Sequence, residues 1–256
     1  MTEIPKIEII GINGIPEISQ GDDLTEAILS AAENMGFTLY DGDNVVVTQK
    51  IVSKSAGRLV SLLDVSPSDI AIQYAVDMGK DPRLMELVLQ ESKYIVRMDM
   101  KRGILITETK HGFICANAGI DSSNVPGSDI VCLLPIDSNA SARGLRRSIN
   151  IACGVDIAVV ITDTFGRAWR EGHTTFAIGV SGIDPMLDYR GTIEANGRLL
   201  KATTIAIADE IAAASELATA KSDNIPVVVI RGYDYPHNND STVDVMLRDI
   251  ARDLFR

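Results

Sequence analysis

An apolar stretch at residues 157–161 leads directly into Thr162-Asp163-Thr164 and, after a glycine, into two arginines. Carboxylate and hydroxyl oxygens are the ligands that Mg²⁺ and Mn²⁺ prefer in proteins. Arg167 and Arg170 suit phosphate oxygens, because a guanidinium group binds two of them at once. This pattern predicts a metal and phosphate site at the end of a strand. The alternative is a capped turn in which Arg170 pairs with a surface carboxylate.

A second carboxylate, Asp121, lies in the loop 117–125, which is rich in amides and small residues and follows a predicted strand at 113–116. Functional groups of α/β proteins concentrate at such strand ends. If Asp121 and Asp163 converge, two carboxylates about 4 Å apart repel by roughly 4 kcal/mol at an effective dielectric near 20. A divalent cation between them relieves that repulsion. The alternative for Asp121 is a local Asx-turn.

A third polar stretch follows the predicted strand 45–48 and carries Lys50, Lys54 and Arg58 at intervals of four residues. The chain is acidic, so this local concentration of cations favours a phosphate site. The alternative is a solvated helix face, which is most plausible for Lys50 and Arg58. Lys54, flanked by two serines, is the strongest candidate of the three.

Composition and charge narrow the class of protein. The 256 residues include 24 Lys and Arg against 35 Asp and Glu, a formal net charge of -11, which argues against a general nucleic-acid binder. The sequence has no run of about 20 apolar residues, as a membrane span requires, and no secretory signal pattern at its start. Three scattered cysteines suit neither a disulfide framework nor a zinc cluster. We expect a reduced, cytoplasmic protein without membrane or nucleic-acid partners.

Common nucleotide and metalloprotease signatures are missing from the sequence. His111, His173 and His237 lack metal-ligand spacing, so we expect surface or turn positions for them. Trp169 and the methionines are expected in the core.

Alternating strand and helix patterns predict a mixed α/β fold. The predicted strands span residues 7–10, 45–48, 104–107, 113–116, 157–162, 176–180 and 227–230. Capping residues and apolar periodicity predict helices at 66–78, 81–92, from 137, at 203–220 and at 242–255. No linker or repeat divides the chain, so we expect residues 1–256 to form a single unit.

Taken together, the polar stretches resemble the coenzyme F420-0:L-glutamate ligase family, also called the CofE family of γ-glutamyl ligases. The resemblance rests on the order and joint presence of several blocks along nearly the whole chain, at residues 14–18, 21–24, 51–58, 117–121, 123–125, 161–164, 166–167, 176–182, 208–212, 225–226, 231–232 and 253–256.

The resemblance implies a GTP-dependent ligase of coenzyme F420 biosynthesis. Such an enzyme adds L-glutamate, with later residues γ-linked, to the lactyl-phosphate side chain of the deazaflavin F420-0. An acyl phosphate forms first, and GDP and phosphate are released. The resemblance also implies Mg²⁺ or Mn²⁺, up to two ions, with K⁺ as a further ion. The implied fold is an uncommon α/β arrangement of two interdependent lobes in an intertwined homodimer.

By the same resemblance, Asp121, Asp163 and Thr164 match the family's metal ligands, and Lys54 joins the two carboxylates as a catalytic candidate. The residues that match the nucleotide contacts are Ile15, Pro16, Glu17, Ile18, Gln49, Lys50, Lys54 and Asn124. Candidates for the phosphate side of the deazaflavin are Arg167, Arg170 and Ser181.

One nucleotide-contacting loop departs from the family pattern. The family's loop is glycine-rich, whereas residues 219–224 contain no glycine and include Lys221, Ser222, Asp223 and Asn224. Only glycine adopts positive φ freely, so we expect a changed loop path or a weaker grip on the nucleotide. Asn224 is the best replacement, since asparagine visits the left-handed region readily. Asp223 is a substitute for the second-metal ligand.

Other functions remain open from the residues alone. A metal-dependent phosphatase or phosphotransferase would use the same Asp121 and Asp163 pair. A binding module for a flavin-like or nucleotide ligand would have little reason to gather hard oxygen ligands at two strand ends. If the chain were a purely structural α/β protein, the polar loops would be ordinary turns whose resemblance to a site is a coincidence.

Overall fold

The computed structural model describes residues 4–123, 125, 127–219 and 224–254. These residues form a mixed α/β fold, as the alternating patterns predict. In chain order the elements are β1 (Glu8–Gly11), α1 (Leu24–Asn34), β2 (Asn44–Thr48), α2 (Gln49–Ser55), β3 (Leu59–Ser61), α3 (Asp69–Met78), α4 (Pro82–Gln90), β4 (Ser92–Asp99), β5 (Ile104–Thr109), β6 (Ile114–Ala116), β7 (Ile130–Cys132), α5 (Ser138–Cys153), β8 (Ala158–Arg167), β9 (Arg170–Ser181), β10 (Leu187–Asp188), β11 (Thr204–Ile205), α6 (Ile207–Thr219) and β12 (Val227–Arg231).

The central sheet has five strands in the order β1-β12-β2-β8-β9. Strands β2 and β8 are parallel, with Thr48 opposite Thr162, whereas the other neighbours are antiparallel. Carboxyl ends of parallel strands meet at one edge of a sheet. Helix α2, which begins at Gln49, therefore starts beside Asp163.

The core centres on β2, β8 and β12, whose continuous apolar runs are buried. Such runs are typical of strands covered on both faces. Helix α5 packs against β8 and β9, while α6 packs against β1, β12 and β9. Gly179 on β9 allows the close approach of α5, because an added Cβ would lie 2.4 Å from the Ser138 carbonyl.

A β-bulge interrupts the pairing of β8 and β9 just before Asp163. Ile161 lies opposite Gly179 and Thr162 opposite Ala177, so Ile178 is the extra residue. Bulges of this kind redirect the side chains that follow and recur next to active sites. Beyond it, Asp163 faces Phe176 and Thr164 faces Thr175 across the ladder.

The predicted N-caps are confirmed at two helices. Asp137 caps α5 and Asp81 caps α4, each accepting hydrogen bonds from backbone amides. Helix α3 is capped by Ser68 rather than Ser66, so it begins later than predicted. Helix α4 ends at Gln90, because the chain turns into β4 at Ser92.

Three other predictions about the scaffold were wrong. The segment 242–255 forms two short 3₁₀ turns, Val243–Met246 and Ile250–Arg252, instead of a helix through to its described end at Leu254. Helix α6 begins at Ile207 because Thr204–Ile205 pairs as β11. Trp169 is 83% exposed at the β8–β9 turn, where its φ is +66°.

Among the described residues, no helix combines the length and apolarity needed to cross a membrane.

Candidate active site

A cavity of about 780 Å³ lies at the end of β2, beside the middle of β8. Its lining comes from the turn before α1, from α2, from the loop after β6, from β8 and β9, and from the end of α6. These segments bring together the predicted residues Ile15, Pro16, Glu17, Ile18, Gln49, Lys50, Lys54, Asp121, Asp163, Thr164 and Asn224. Asn124, Lys221, Ser222 and Asp223 lie outside the described residues.

Lys54 is held inside this cavity by α2. Its side chain is 5% exposed and forms an ion pair with Glu17, whose side chain is 76% exposed. Gln49, one turn earlier, is also buried and accepts a hydrogen bond from Ser53 Oγ. The alternative of a solvated helix face is therefore wrong for α2.

Lys50 lies beside Asp121, with 2.8 Å between Lys50 Nζ and Asp121 Oδ2. The same ammonium group donates to the carbonyl and hydroxyl oxygens of Ser123. Ser123 also donates from its backbone amide to Asp121 Oδ1 at 2.7 Å. Burial alone would raise the pKa of Asp121, but these hydrogen bonds from Lys50 and Ser123 hold it below its ordinary value. Asp121 is thus kept ionised.

Asp163 lies on β8 in a less hydrated position. Burial raises its pKa to about 7, and the negative charge of Asp121 adds to the rise, while the Thr164 amide and Lys50 oppose it. Asp121 and Asp163 line the same cavity. Burial, with the charge of Asp163, also raises the pKa of the neighbouring Cys115 thiol to about 12.

The loop that carries Asp121 has an unusual backbone. Asn117, Ala118 and Gly119 have φ values of +50°, +55° and +71°. Left-handed conformations in non-glycine residues cost about 1–2 kcal/mol each, and such strain clusters at functional sites. Lys80 Nζ donates to Asn117 Oδ1 at 2.8 Å and anchors the turn. Backbone hydrogen bonds to Cys132 in both directions then fix Asp121.

A chain of hydrogen bonds behind Thr164 is not evident in the sequence. Thr164 Oγ1 lies 3.2 Å from Thr175 Oγ1, which donates to Glu216 Oε2 at 2.5 Å. Glu216 lies on α6 and lines the same cavity. Its position in an alanine-rich helix gives no local signal of function. His173 also lines the cavity, at an exposed position of the kind predicted for it.

The remaining predicted site residues lie at different places in the structure. Asn224 has a φ of +50°, the conformation expected of it. Arg58 is a scaffold residue, because it donates to the Leu134 carbonyl and pairs with Glu91. Arg170 is exposed at the β8–β9 turn. Ser181 is buried opposite Val159, roughly 13 Å along the strand from Asp163.

The oxygen donors suit a hard divalent cation. The described residues contain no group of three or more His, Cys, Asp or Glu side chains that could hold a metal ion by themselves. Asp121, Asp163 and the hydroxyl of Thr164 nevertheless offer the oxygen ligands that Mg²⁺ and Mn²⁺ prefer, with room for substrate oxygens to complete the set. A cation there would also relieve the unfavourable burial of Asp163. The residues therefore fit such an ion.

Fold and cavity together define an α/β protein whose cavity brings lysines and carboxylates together beside two parallel strands. A family model described as F420-0:Gamma-glutamyl ligase matches residues 13–232. The chain is 42% identical over 252 residues to the Coenzyme F420:L-glutamate ligase of Methanothermobacter thermautotrophicus, covering 98% of this chain and 99% of the relative. It is 38% identical to the Methanopyrus kandleri protein of that name, covering 100% of both chains, and 37% identical to the Methanocaldococcus jannaschii protein, covering 98% of this chain and 97% of the relative.

The chain belongs to the F420-0:gamma-glutamyl ligase family, and it is an enzyme of the ligase class. The resemblance noted from the sequence blocks is thereby confirmed.

Proposed function

We propose that this enzyme joins L-glutamate to F420-0 at the expense of GTP, releasing GDP and phosphate. The family assignment and the names of the relatives support the acceptor and the amino acid. Nucleotide use is supported by Lys50 and Lys54, which the cavity brings together beside Asp121 and Asp163 in a protein with a net charge of -11.

The observation that carries the proposal is the pairing of a buried lysine with an exposed carboxylate. Lys54 lies in a position that costs several kcal/mol of desolvation unless a negative group compensates it. Glu17 provides that charge from the mouth of the cavity, where it is 76% exposed. A triphosphate entering the cavity offers more charge to Lys54 and leaves Glu17 in water. The site is therefore preformed for an anion.

In the first step, a carboxylate oxygen of the acceptor attacks the γ-phosphorus of GTP, and GDP leaves. This transfer requires positioning and charge neutralisation more than a protein nucleophile. Lys50 and Lys54 bind the phosphate oxygens, and the turn at 15–18 with Ile225 and Pro226 encloses the nucleotide. Asp121, Asp163 and Thr164 would hold Mg²⁺ or Mn²⁺, which supplies further neutralisation of phosphate charge.

In the second step, the amine of glutamate attacks the acyl carbon of the phosphorylated acceptor. The new C–N bond forms as the C–O bond to phosphate breaks, and inorganic phosphate departs with the amine proton. The chain's contribution is to keep water away from the acyl phosphate, which would otherwise hydrolyse. The half-buried walls formed by Phe165 and Ile120 serve that purpose.

Incubation of the purified protein with F420-0, L-glutamate, GTP and Mn²⁺, followed by mass spectrometry, tests the proposal. We expect the acceptor to gain one or more glutamyl units, and replacement of GTP by ATP measures nucleotide preference. Phosphate release without glutamate incorporation would instead favour a metal-dependent phosphatase or phosphotransferase.

We also infer that residues 1–256 act as one unit and assemble as a homodimer. Support for one unit comes from Arg58, which links the loop after α2 to both Leu134 and Glu91. The exposed apolar side chains of Trp169 and Ile193 support an assembly. Light scattering in solution measures the dimer, and a single unfolding transition identifies the single unit.

A further inference from the structure

A second cavity, of about 480 Å³, lies beside the first one. Phe165 and Gly166 line both cavities, so this part of β8 is their common wall. The 3₁₀ turn at Val243–Met246 and the residues that follow it enclose the far side, where a helix was predicted. The second cavity therefore adjoins the candidate active site, and neither Lys50 nor Lys54 lines it.

A row of three phenylalanine rings lines this second cavity. The ring centroids of Phe165 and Phe176 lie 5.7 Å apart with an interplanar angle of 16°. Phe113 extends the row, with its centroid 6.4 Å from that of Phe165. Phe165 and Phe176 are half-buried, so part of each ring borders the cavity. Such a row accepts a flat aromatic ligand by stacking.

Two polar groups border the same space. Arg167 Nε is buried, and no acceptor for it is found among the residues that the structure describes. Asp209 accepts the Ala177 amide through Oδ1 at 3.0 Å, and a carboxylate can accept from further donors. A cavity that combines apolar walls with a few placed polar groups is typical of a small-molecule site.

We propose that this second cavity binds the tricyclic deazaflavin ring of the acceptor, stacked on Phe165 and Phe176. Asp209 accepts from the N–H of the ring's lactam edge, and Arg167 donates to a ring carbonyl. The side chain of the acceptor then passes Gly166 and carries its carboxylate toward Asp163 and the lysines. This assignment rests on the proposed function for the identity of the acceptor.

Gly166 determines whether the acceptor can span both cavities. A Cβ added there meets no heavy atom within 4 Å, and its φ is not in the positive range that disfavours other residues. The substitution Gly166→Leu therefore fits the backbone and adds a bulky side chain at a residue that lines both cavities. Gly144 on α5 offers the matched control, because a Cβ there also meets open space and the residue lies on an exposed helix face.

The first experiment uses the deazaflavin nucleoside, which lacks the phosphate and lactate, as a fluorescent probe. We expect it to bind the wild-type protein and to bind Phe176→Leu roughly tenfold more weakly, as loss of one stacking ring typically causes. Phe37→Leu is the matched control, since Phe37 lies under Arg231 at the other end of the sheet. Equal affinities in Phe176→Leu and wild type, or no binding to wild type, would overturn the inference.

The second experiment measures steady-state ligation with F420-0 in folded variants, checked by their melting temperatures. We expect Gly166→Leu and Phe176→Leu to raise KM for F420-0 roughly tenfold, without a change in KM for GTP, and Gly144→Leu to match wild type. If wild type ligates but both variants keep its KM for F420-0, only the ring assignment fails. If wild type binds the nucleoside through Phe176 but does not ligate, only the proposed function fails.

Discussion

Lys54 and Glu17 form an ion pair in which the lysine is 5% exposed and the carboxylate is 76% exposed. The asymmetry means that the two charges have different solvation costs. Glu17 loses little when its partner is replaced, whereas Lys54 requires a negative neighbour at all times. A pair built in this way is suited to exchange its carboxylate for a phosphate.

The first prediction concerns this lysine. Lys54→Met should weaken GTP binding about tenfold or more, because a hydrogen bond to a charged group contributes about 1.5–3 kcal/mol. Calorimetric titration of the nucleotide measures the loss. Lys6→Met is the control, since Lys6 forms a similar pair with Glu8 at an exposed surface. Unchanged affinity in the Lys54 variant would remove Lys54 from the nucleotide site.

The second prediction concerns the two carboxylates. The double substitution Asp121→Asn and Asp163→Asn should lower Mn²⁺ affinity by about 100-fold or more, since even the outer partners of metal ligands contribute about 10- to 100-fold. Binding is followed by calorimetry or by the paramagnetic signal of free Mn²⁺. Asp129→Asn, at the carboxylate that pairs with Arg83, is the control. Retention of tight Mn²⁺ binding by the double variant would exclude this metal site.

The third prediction concerns Glu216, which orients Thr164 through Thr175. Glu216→Ala should raise the Mn²⁺ concentration needed for half-maximal activity about 10-fold or more, as expected for a positioning residue. Glu216→Gln keeps an acceptor oxygen and should recover most of the loss. Glu210→Ala, at an exposed position on the same helix, serves as the comparison. If Glu216→Ala lowers the melting temperature but leaves the Mn²⁺ dependence of activity unchanged, the role of Glu216 is purely structural.

The fourth prediction is a pH dependence of stability. Burial raises the pKa of Asp209, and the Ala177 amide opposes this only in part. Between pH 3.8 and the raised pKa, Asp209 keeps its proton in the folded chain but has lost it in the unfolded chain. The contribution of Asp209 to the free energy of unfolding therefore falls as the pH rises through that window. Asp209→Asn lacks this loss, so its advantage over wild type should grow across that window by at most about 1.4 kcal/mol per pH unit.

Urea unfolding of wild type and Asp209→Asn from acid to neutral pH measures that difference. Asp64→Asn, at an exposed carboxylate, provides the reference. A constant difference between the Asp209 variant and wild type across the range would contradict the assigned cause.

Local chemistry was sufficient to predict much of the scaffold. Asp137 caps α5 because its side chain reaches a free helix amide, which is a purely local interaction. The apolar run at 45–48 forms a central strand because continuous hydrophobicity requires two covered faces. The segment 242–255 has amphipathic spacing, yet its described part, up to residue 254, forms no α-helix, since Val243, Met246 and Leu247 pack around the second cavity and the main core instead.

The candidate site could be predicted only in part, because local sequence reveals some of its residues and tertiary packing determines the others. Asp163 and Lys54 each come after an apolar run, so the sequence shows their place beyond a buried segment, although β8 continues through Asp163 to Arg167. Glu216 acquires its role from a strand pairing that sets Thr175 beside Thr164, and no local pattern encodes that pairing. The core position predicted for Trp169 was wrong. Its hydrophobicity favours the core, whereas the turn between β8 and β9 exposes it to solvent.

The extra residue at Ile178 has a further effect on how this enzyme can vary. Deleting it would leave a regular ladder with the same partners, because Thr162 already faces Ala177 and Thr164 already faces Thr175 beyond the bulge. Loss of a second residue there would slide residues 170–176 along by one place and turn their side chains to the other face, so Thr175 would leave Thr164 and Phe176 would leave Phe165. The bulge thus lets this strand pair lose one residue without disturbing either site, whereas a loss of two residues would dismantle both sites together.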